Sequence, residues 1–103
     1  MSPTSSIDEF MQQGAQEAAA FLRLLSNENR LIILCLLIQH KELSAGAIHQ
    51  QLSLSQPALS QHLSKMREEG LITFRRDAQT LYYSIDNPHV KKLVATLKTI
   101  FCP

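Results

Sequence analysis

Glycine is scarce in this 103-residue chain, cysteine scarcer, and no apolar run is long. The three glycines, Gly14, Gly46 and Gly70, stand far apart, so there is no glycine-rich loop to cradle a phosphate and no nucleophile elbow. No acid–base pair is placed together by the sequence either, and an enzyme is not expected. The longest apolar run, Leu31 to Ile38, falls well short of the ~18 to 20 residues that cross a bilayer. The amino terminus, Met1-Ser2-Pro3-Thr4-Ser5-Ser6, has neither the basic start nor the apolar stretch of a secretory leader. A cytoplasmic protein that does not enter a membrane is the expectation. Repeats, linkers and low-complexity tracts are absent too. One domain spanning residues 1–103, with 1–6 flexible, is therefore expected.

Charge of one sign is also lacking, since the net charge is +1. Six basic residues (Lys65, Arg67, Arg75, Arg76, Lys91, Lys92) face four acids (Glu68, Glu69, Asp77, Asp86) between Ser60 and Lys92. An excess this small gives one copy only weak attraction to a phosphate backbone, so DNA binding would need a dimer. The two cysteines, Cys35 and Cys102, form no Cys-x-x-Cys pair. A cytoplasmic protein does not normally keep a structural disulfide, which leaves them inert, redox-active or metal-binding.

What is present is enough apolar residue to fold, at 45%, arranged with helical period and clear punctuation. A first helix is expected to start at the capping box Ser6-Ile7-Asp8-Glu9 and to reach about Leu25. A second, capped by Ser26, runs from Asn27 to about Gln39. Its stretch Leu31 to Ile38 is apolar all round, which belongs at the centre of a fold. Ser44 caps a short third helix, Ala45 to Leu52. Ser55 caps a fourth, Gln56 to Glu69, with Pro57 in its first turn and Gly70 at its stop. Two strand-like runs follow, Leu71 to Phe74 and Thr80 to Ile85, joined by a polar tip, Arg75-Arg76-Asp77-Ala78-Gln79. Asn87-Pro88 opens a fifth helix whose Val90, Leu93, Val94, Leu97, Ile100 and Phe101 form one stripe. Helix, turn, helix and hairpin make a mainly α winged helix-turn-helix.

The fourth helix carries the functional signal. At 100° per residue, Leu59, Leu63 and Met66 share one face, and Pro57, Gln61, Ser64 and Glu68 the other, flanked by Gln56, Ser60 and Lys65. Solubility alone is better served by Lys and Glu, which also favour helix. Amides and hydroxyls instead suit base edges: Gln bonds adenine through two atoms, and Ser donates or accepts. Free N–H groups of the first turn suit a phosphate. His62, beside the apolar stripe, is expected to pack locally, with a phosphate contact as the alternative. Arg75 and Arg76 are placed at the wing tip, within reach of backbone phosphates or a minor groove. The spare apolar stripes of the first and last helices are expected to form a two-fold dimer interface, which matches a palindromic double-stranded DNA operator. The alternative is that they wrap the second helix within one chain.

Three segments, Ser26-Asn27-Glu28-Asn29-Arg30-Leu31-Ile32-Ile33-Leu34, Leu54-Ser55-Gln56-Pro57-Ala58-Leu59-Ser60-Gln61-His62-Leu63 and Met66-Arg67-Glu68-Glu69-Gly70-Leu71-Ile72, resemble the ArsR/SmtB regulators over about residues 15–103. The resemblance implies a homodimeric winged-helix transcription factor joined through its terminal helices. It puts Ser55, Gln56, Ser60, Gln61 and His62 at the reading helix and Arg75 and Arg76 on the wing. Members that bind metal use thiols on the third helix or His and acidic residues on the fifth. Here Glu42 to Ile48 holds no thiol, and the last helix offers only Asp86 and His89, with Ile100 eleven positions after His89. That is too few ligands for zinc, so neither a metal nor a cofactor is expected. The segments Ile33 to Leu37 and Thr96 to Pro103 are similar to the HlyU and BigR branch. In that branch, the resemblance implies, a pair like Cys35 and Cys102 responds to reactive sulfur species or oxidants by forming a disulfide or polysulfide bridge. Such a switch would act on operator affinity. The alternatives are a regulator of the same family without a thiol switch (metal-responsive or inducer-free) and a protein-interaction adaptor that does not bind DNA.

Overall fold

The computed structural model describes residues 4–102. Helix α1 runs Thr4–Glu9, passes through a π-helical Phe10–Gly14 and continues Ala15–Leu25. The backbone is already helical at Thr4, so Ser6 lies inside the helix and not at the capping box placed there. Of residues 1–6, expected to be flexible, 4 to 6 are helical and 1 to 3 lie outside the described residues. In the π-helical turn the Phe10 ring lies over Gly14, where a Cβ would come within 3.0 Å of it.

Helix α2 spans Glu28–His40. Its cap is Asn27, one residue later than expected, whose side chain accepts from the Arg30 N–H at 3.1 Å. Ser26 is spent on the tight turn before it, in which the Asn27 N–H reaches the Leu25 carbonyl at 2.8 Å. Only Asn27 has the extended backbone (φ −151°) that a cap requires. The far end of α2 turns sharply at Lys41, whose φ of 66° is left-handed. There the Glu42 N–H bonds the His40 carbonyl at 2.7 Å, a strained three-residue γ-turn. Strand β1, Leu43–Ser44, follows, and was not foreseen because two residues carry no periodic signal.

Ser44 caps α3, Ala45–Gln50, through the Ala47 N–H at 3.1 Å. The helix stops before Leu52, closing on bonds from Gln51 to Ile48 and from Leu52 to His49. Ser55 caps α4, Gln56–Glu68, through the Ala58 N–H at 3.2 Å. At its other end Gly70 (φ 78°) lets the Leu71 N–H reach the Met66 carbonyl and its own N–H reach that of Arg67. This is the Schellman closure that glycine permits. Strands β2, Thr73–Asp77, and β3, Thr80–Ser84, are joined by Ala78-Gln79, with Ala78 at φ 57°. Asn87 caps α5, Pro88–Phe101, accepting from the N–H groups of His89 and Val90.

The sheet is antiparallel in the order β1-β3-β2. One core gathers Leu25 from α1, Ile33, Leu34 and Leu37 from α2, and Ile48 from α3. Leu59, Leu63 and Met66 from α4, with Leu71, Ile72, Tyr83, Ile85, Val90 and Val94, complete it. The expected winged helix-turn-helix is therefore what the chain forms. Helix α2, however, is not wrapped on all sides. Ile32 is exposed, Leu36 half-buried, and the outer edge of α2 looks into a groove against the end of α5.

Candidate nucleic-acid interface and thiol groove

The burial of α4 divides as its wheel predicts. Leu59, Leu63 and Met66 are at most 3% exposed, and Ser55, Gln56, Pro57, Ser60, Gln61, Ser64 and Lys65 are all exposed. Ser60, Gln61, Ser64, Lys65 and Glu68 line one shallow outer surface. His62 is half-buried, between the two faces. The amide-and-hydroxyl face is thus presented to solvent on a helix whose inner face is clamped into the core.

Several contacts fix the attitude of that helix, and sequence reasoning missed them because each joins one element to another or spans a turn, outside the period of any single helix or strand. The Arg30 guanidinium forms an ion pair with Glu69 Oε1 at 2.8 Å and donates to the Leu24 carbonyl at 2.8 Å. It thereby ties the end of α1, the start of α2 and the end of α4 together. The Arg67 guanidinium stacks 4.3 Å from the centre of the Phe74 ring, joining α4 to β2. A ring nitrogen of His49 lies 2.8 Å from the Leu54 carbonyl, which locks the turn between α3 and α4.

The two wing arginines were expected at a loop tip. They lie instead within β2, because the turn takes up only Ala78 and Gln79. Arg75 pairs with Tyr82 and Arg76 with Leu81, and alternation along a strand sends their side chains to opposite faces. Arg75 is committed within the protein. Its Nε and Nη2 donate to both carboxylate oxygens of Glu42 at 2.8 Å, and its guanidinium lies 4.6 Å from the Tyr82 ring centre. That two-point bond holds the Glu42 carboxyl below the usual range. Arg76 is exposed and shares the face of Phe74, the face on which α4 places Arg67.

The cysteines come to one place. Cys35, half-buried on α2, and Cys102, exposed just after α5, are free thiols lining the same groove. With them stand Leu31, Ile32, Leu36, Leu97, Lys98 and Phe101. Burial pushes the Cys35 thiol up, the nearby Cys102 adds to this, and the Lys98 ammonium opposes it. Among the described residues no group of three or more His, Cys, Asp and Glu could hold a metal ion. No helix there is long and apolar enough to cross a membrane.

Comparison with known proteins agrees with this geometry. Residues 27–73 match the family described as bacterial regulatory protein, arsR family. The chain is 47% identical over 93 residues to the HTH-type transcriptional regulator YgaV of Escherichia coli, covering 90% of this chain and 94% of that protein. It is 40% identical over 92 residues to the transcriptional activator HlyU of Vibrio cholerae, covering 89% and 84% respectively. The crystal structure of the transcriptional repressor BigR from Xylella fastidiosa superposes with a TM-score of 0.81 at 38% identity, over 93% of this chain and 97% of that one. The chain belongs to the ArsR/SmtB family of winged-helix, DNA-binding transcriptional regulators, in the branch that holds HlyU and BigR.

Proposed function

We propose that the protein acts as a homodimer on a palindromic operator, and that oxidation or persulfidation of Cys35 and Cys102 switches its affinity for DNA. The observation that carries the DNA reading is the exposed Gln56, Ser60, Gln61, Ser64 and Lys65 face of α4 over a fully buried Leu59, Leu63 and Met66. Gln61 and Ser64 contact base edges, while the first turn, with Ser55, Gln56 and Pro57, approaches a phosphate. His62 lies at the flank and contacts backbone. Arg76 follows the phosphates from the wing, and Arg75 braces the wing through Glu42. The dimer is supported by exposed apolar side chains on both terminal helices: Ile7, Phe10, Met11 and Leu22 on α1, Ile100 and Phe101 on α5.

The switch is supported by the shared groove. Cys102, the exposed thiol, reacts first. A peroxide transfers one oxygen to its sulfur and leaves as alcohol or water, or a polysulfide transfers one sulfur and leaves as a thiolate. The Cys35 thiolate then attacks the Cys102 sulfur, expelling hydroxide or hydrosulfide, and a disulfide joins α2 to α5. Because Arg30 lies five residues before Cys35 on α2 and holds Glu69 at the end of α4, a shift of α2 is felt by the reading helix. A coupling of about 1 to 3 kcal/mol is enough for a useful switch.

The test is binding of a promoter fragment by reduced, peroxide-treated and persulfide-treated protein, beside Cys35→Ser and Cys102→Ser. Treated parent protein should release DNA and both variants should retain it. Release by both variants would discard the thiol switch and leave the regulator standing. Gln61→Ala should weaken specific binding by about 1 to 3 kcal/mol and relax base preference at one position of each half-site. Unchanged affinity and preference would remove Gln61 from the reading surface.

A further inference from the structure

The groove that holds the two thiols is larger and more apolar than a bridge between them requires. The half-open groove has a volume of about 410 Å3, within the range of small-molecule sites, which are mostly apolar with a few placed polar groups. Its walls are Leu31, Ile32, Leu36 and Leu97, with Phe101 at the rim, where it also belongs to the surface assigned above to the dimer. Leu36 and Leu97 are half-buried yet do not pack against the central core, so the surface they cover is the groove's own. The polar groups are two thiols with the Lys98 ammonium beside them, and Glu28 and Gln39 on the α2 side.

We propose that this groove is a binding site for an organic hydroperoxide with an apolar aryl or alkyl tail, which seats among Leu31, Leu36 and Leu97 and delivers its peroxide to the cysteines. The inference rests on the thiol-switch reading and names the class of oxidant that operates it. Burying the tail raises the local concentration of the bound peroxide, an advantage that hydrogen peroxide, with no apolar surface, does not share. In the reaction the Cys102 thiolate attacks the terminal peroxide oxygen. An S–O bond forms, the O–O bond breaks, and the leaving alkoxide takes a proton from water. The Cys35 thiolate then attacks the sulfenic sulfur; the S–S bond forms and hydroxide leaves. The two thiols lose two electrons and the peroxide gains them. Lys98 lies where it favours the Cys35 thiolate for the second step.

The experiment measures by mass spectrometry the rate of Cys35–Cys102 bridge formation with cumene hydroperoxide and with hydrogen peroxide. Each rate is divided by that of free N-acetylcysteine with the same oxidant. The normalised rate with cumene hydroperoxide should exceed that with hydrogen peroxide about tenfold, as partial burial of one aromatic ring provides. Leu36→Gln and Leu97→Gln, neither part of the core, should each abolish that preference and leave the hydrogen peroxide rate in place. Equal normalised rates in the parent protein, as expected where a second copy fills the groove, overturn the site and leave the switch intact. So does a preference that both variants retain. A chain that forms no bridge with either oxidant overturns the site and the thiol switch together. Bridging with unchanged DNA binding removes the switch but not the site.

Discussion

Arg75 and Arg76 are adjacent and chemically identical, yet the strand that carries them gives each a different task. Arg75 is paired at two points with Glu42 and lies on Tyr82, so a phosphate would have to compete with that carboxylate for its charge. Arg76, exposed on the face of β2 that carries Phe74, is the wing arginine proposed to meet a phosphate. Arg76→Ala should therefore weaken binding across all sequences and reduce the slope of log affinity against log salt by about 1. Arg75→Ala should leave the slope where it is, and equal losses from the two variants would show that Glu42 lets go in the complex. Cys35 makes a second prediction at this scale. Burial raises its pKa above the usual thiol value, so at neutral pH it is mostly protonated, and its thiolate, the form that would close the proposed bridge, grows as pH rises through that raised value. Bridge closure, followed after sulfenic acid has formed on Cys102, should accelerate from pH 7 past pH 9. A rate that levels off below pH 8 would mean that Cys35 is not the attacking group.

Among the elements, α4 is the one whose position matters most to binding, and its two ends are secured by different chemistry. Ser55 satisfies a free N–H at the start, and Gly70 closes the end in a backbone conformation that a side chain resists. A Cβ at Gly70 would meet no atom within 4 Å, so Gly70→Ala is a pure test of backbone conformation. It should cost about 1 to 2 kcal/mol in denaturant unfolding, with the DNA half-site preference retained. A cost near zero would mean that the turn relaxes to another closure. The Arg30–Glu69 pair is mostly buried at the same end of the helix, and there α1, α2 and α4 meet.

For the whole molecule, the unpaired apolar surface is the leading fact. Ile7, Phe10 and Met11 on α1 and Phe101 on α5 are each at least 59% exposed. A single domain of this size gains little by leaving so much apolar surface in water. Two copies would cover it and set two reading helices one helical turn of DNA apart. Phe10→Glu combined with Met11→Glu should convert the protein to a monomer in sedimentation. Affinity for a two-fold site should then fall toward that of a half-site, while thermal unfolding of the compact core is little changed. A double variant that stays dimeric would put the interface elsewhere.

Much of this was readable in the residue order, for a local reason. Caps at Ser44, Ser55 and Asn87, the stop at Gly70, the hairpin and the polar face of α4 all depend on neighbours within one or two turns of chain, and periodicity records such neighbours. The failures were also local in origin: the cap moved from Ser26 to Asn27, and the wing turn shrank to two residues, because the geometry of a turn depends on dihedral angles that residue type only biases. The sequence by itself determined the helix-turn-helix and hairpin order, the buried stripe of α4 and the family. Only the tertiary structure decided that Glu42 holds Arg75, that Arg30 holds Glu69, that one side of α2 is left open, and that Cys35 and Cys102 share a groove. Each of these depends on groups dozens of residues apart, or on the space left between them, and so on how packed helices and strands are set against one another in three dimensions.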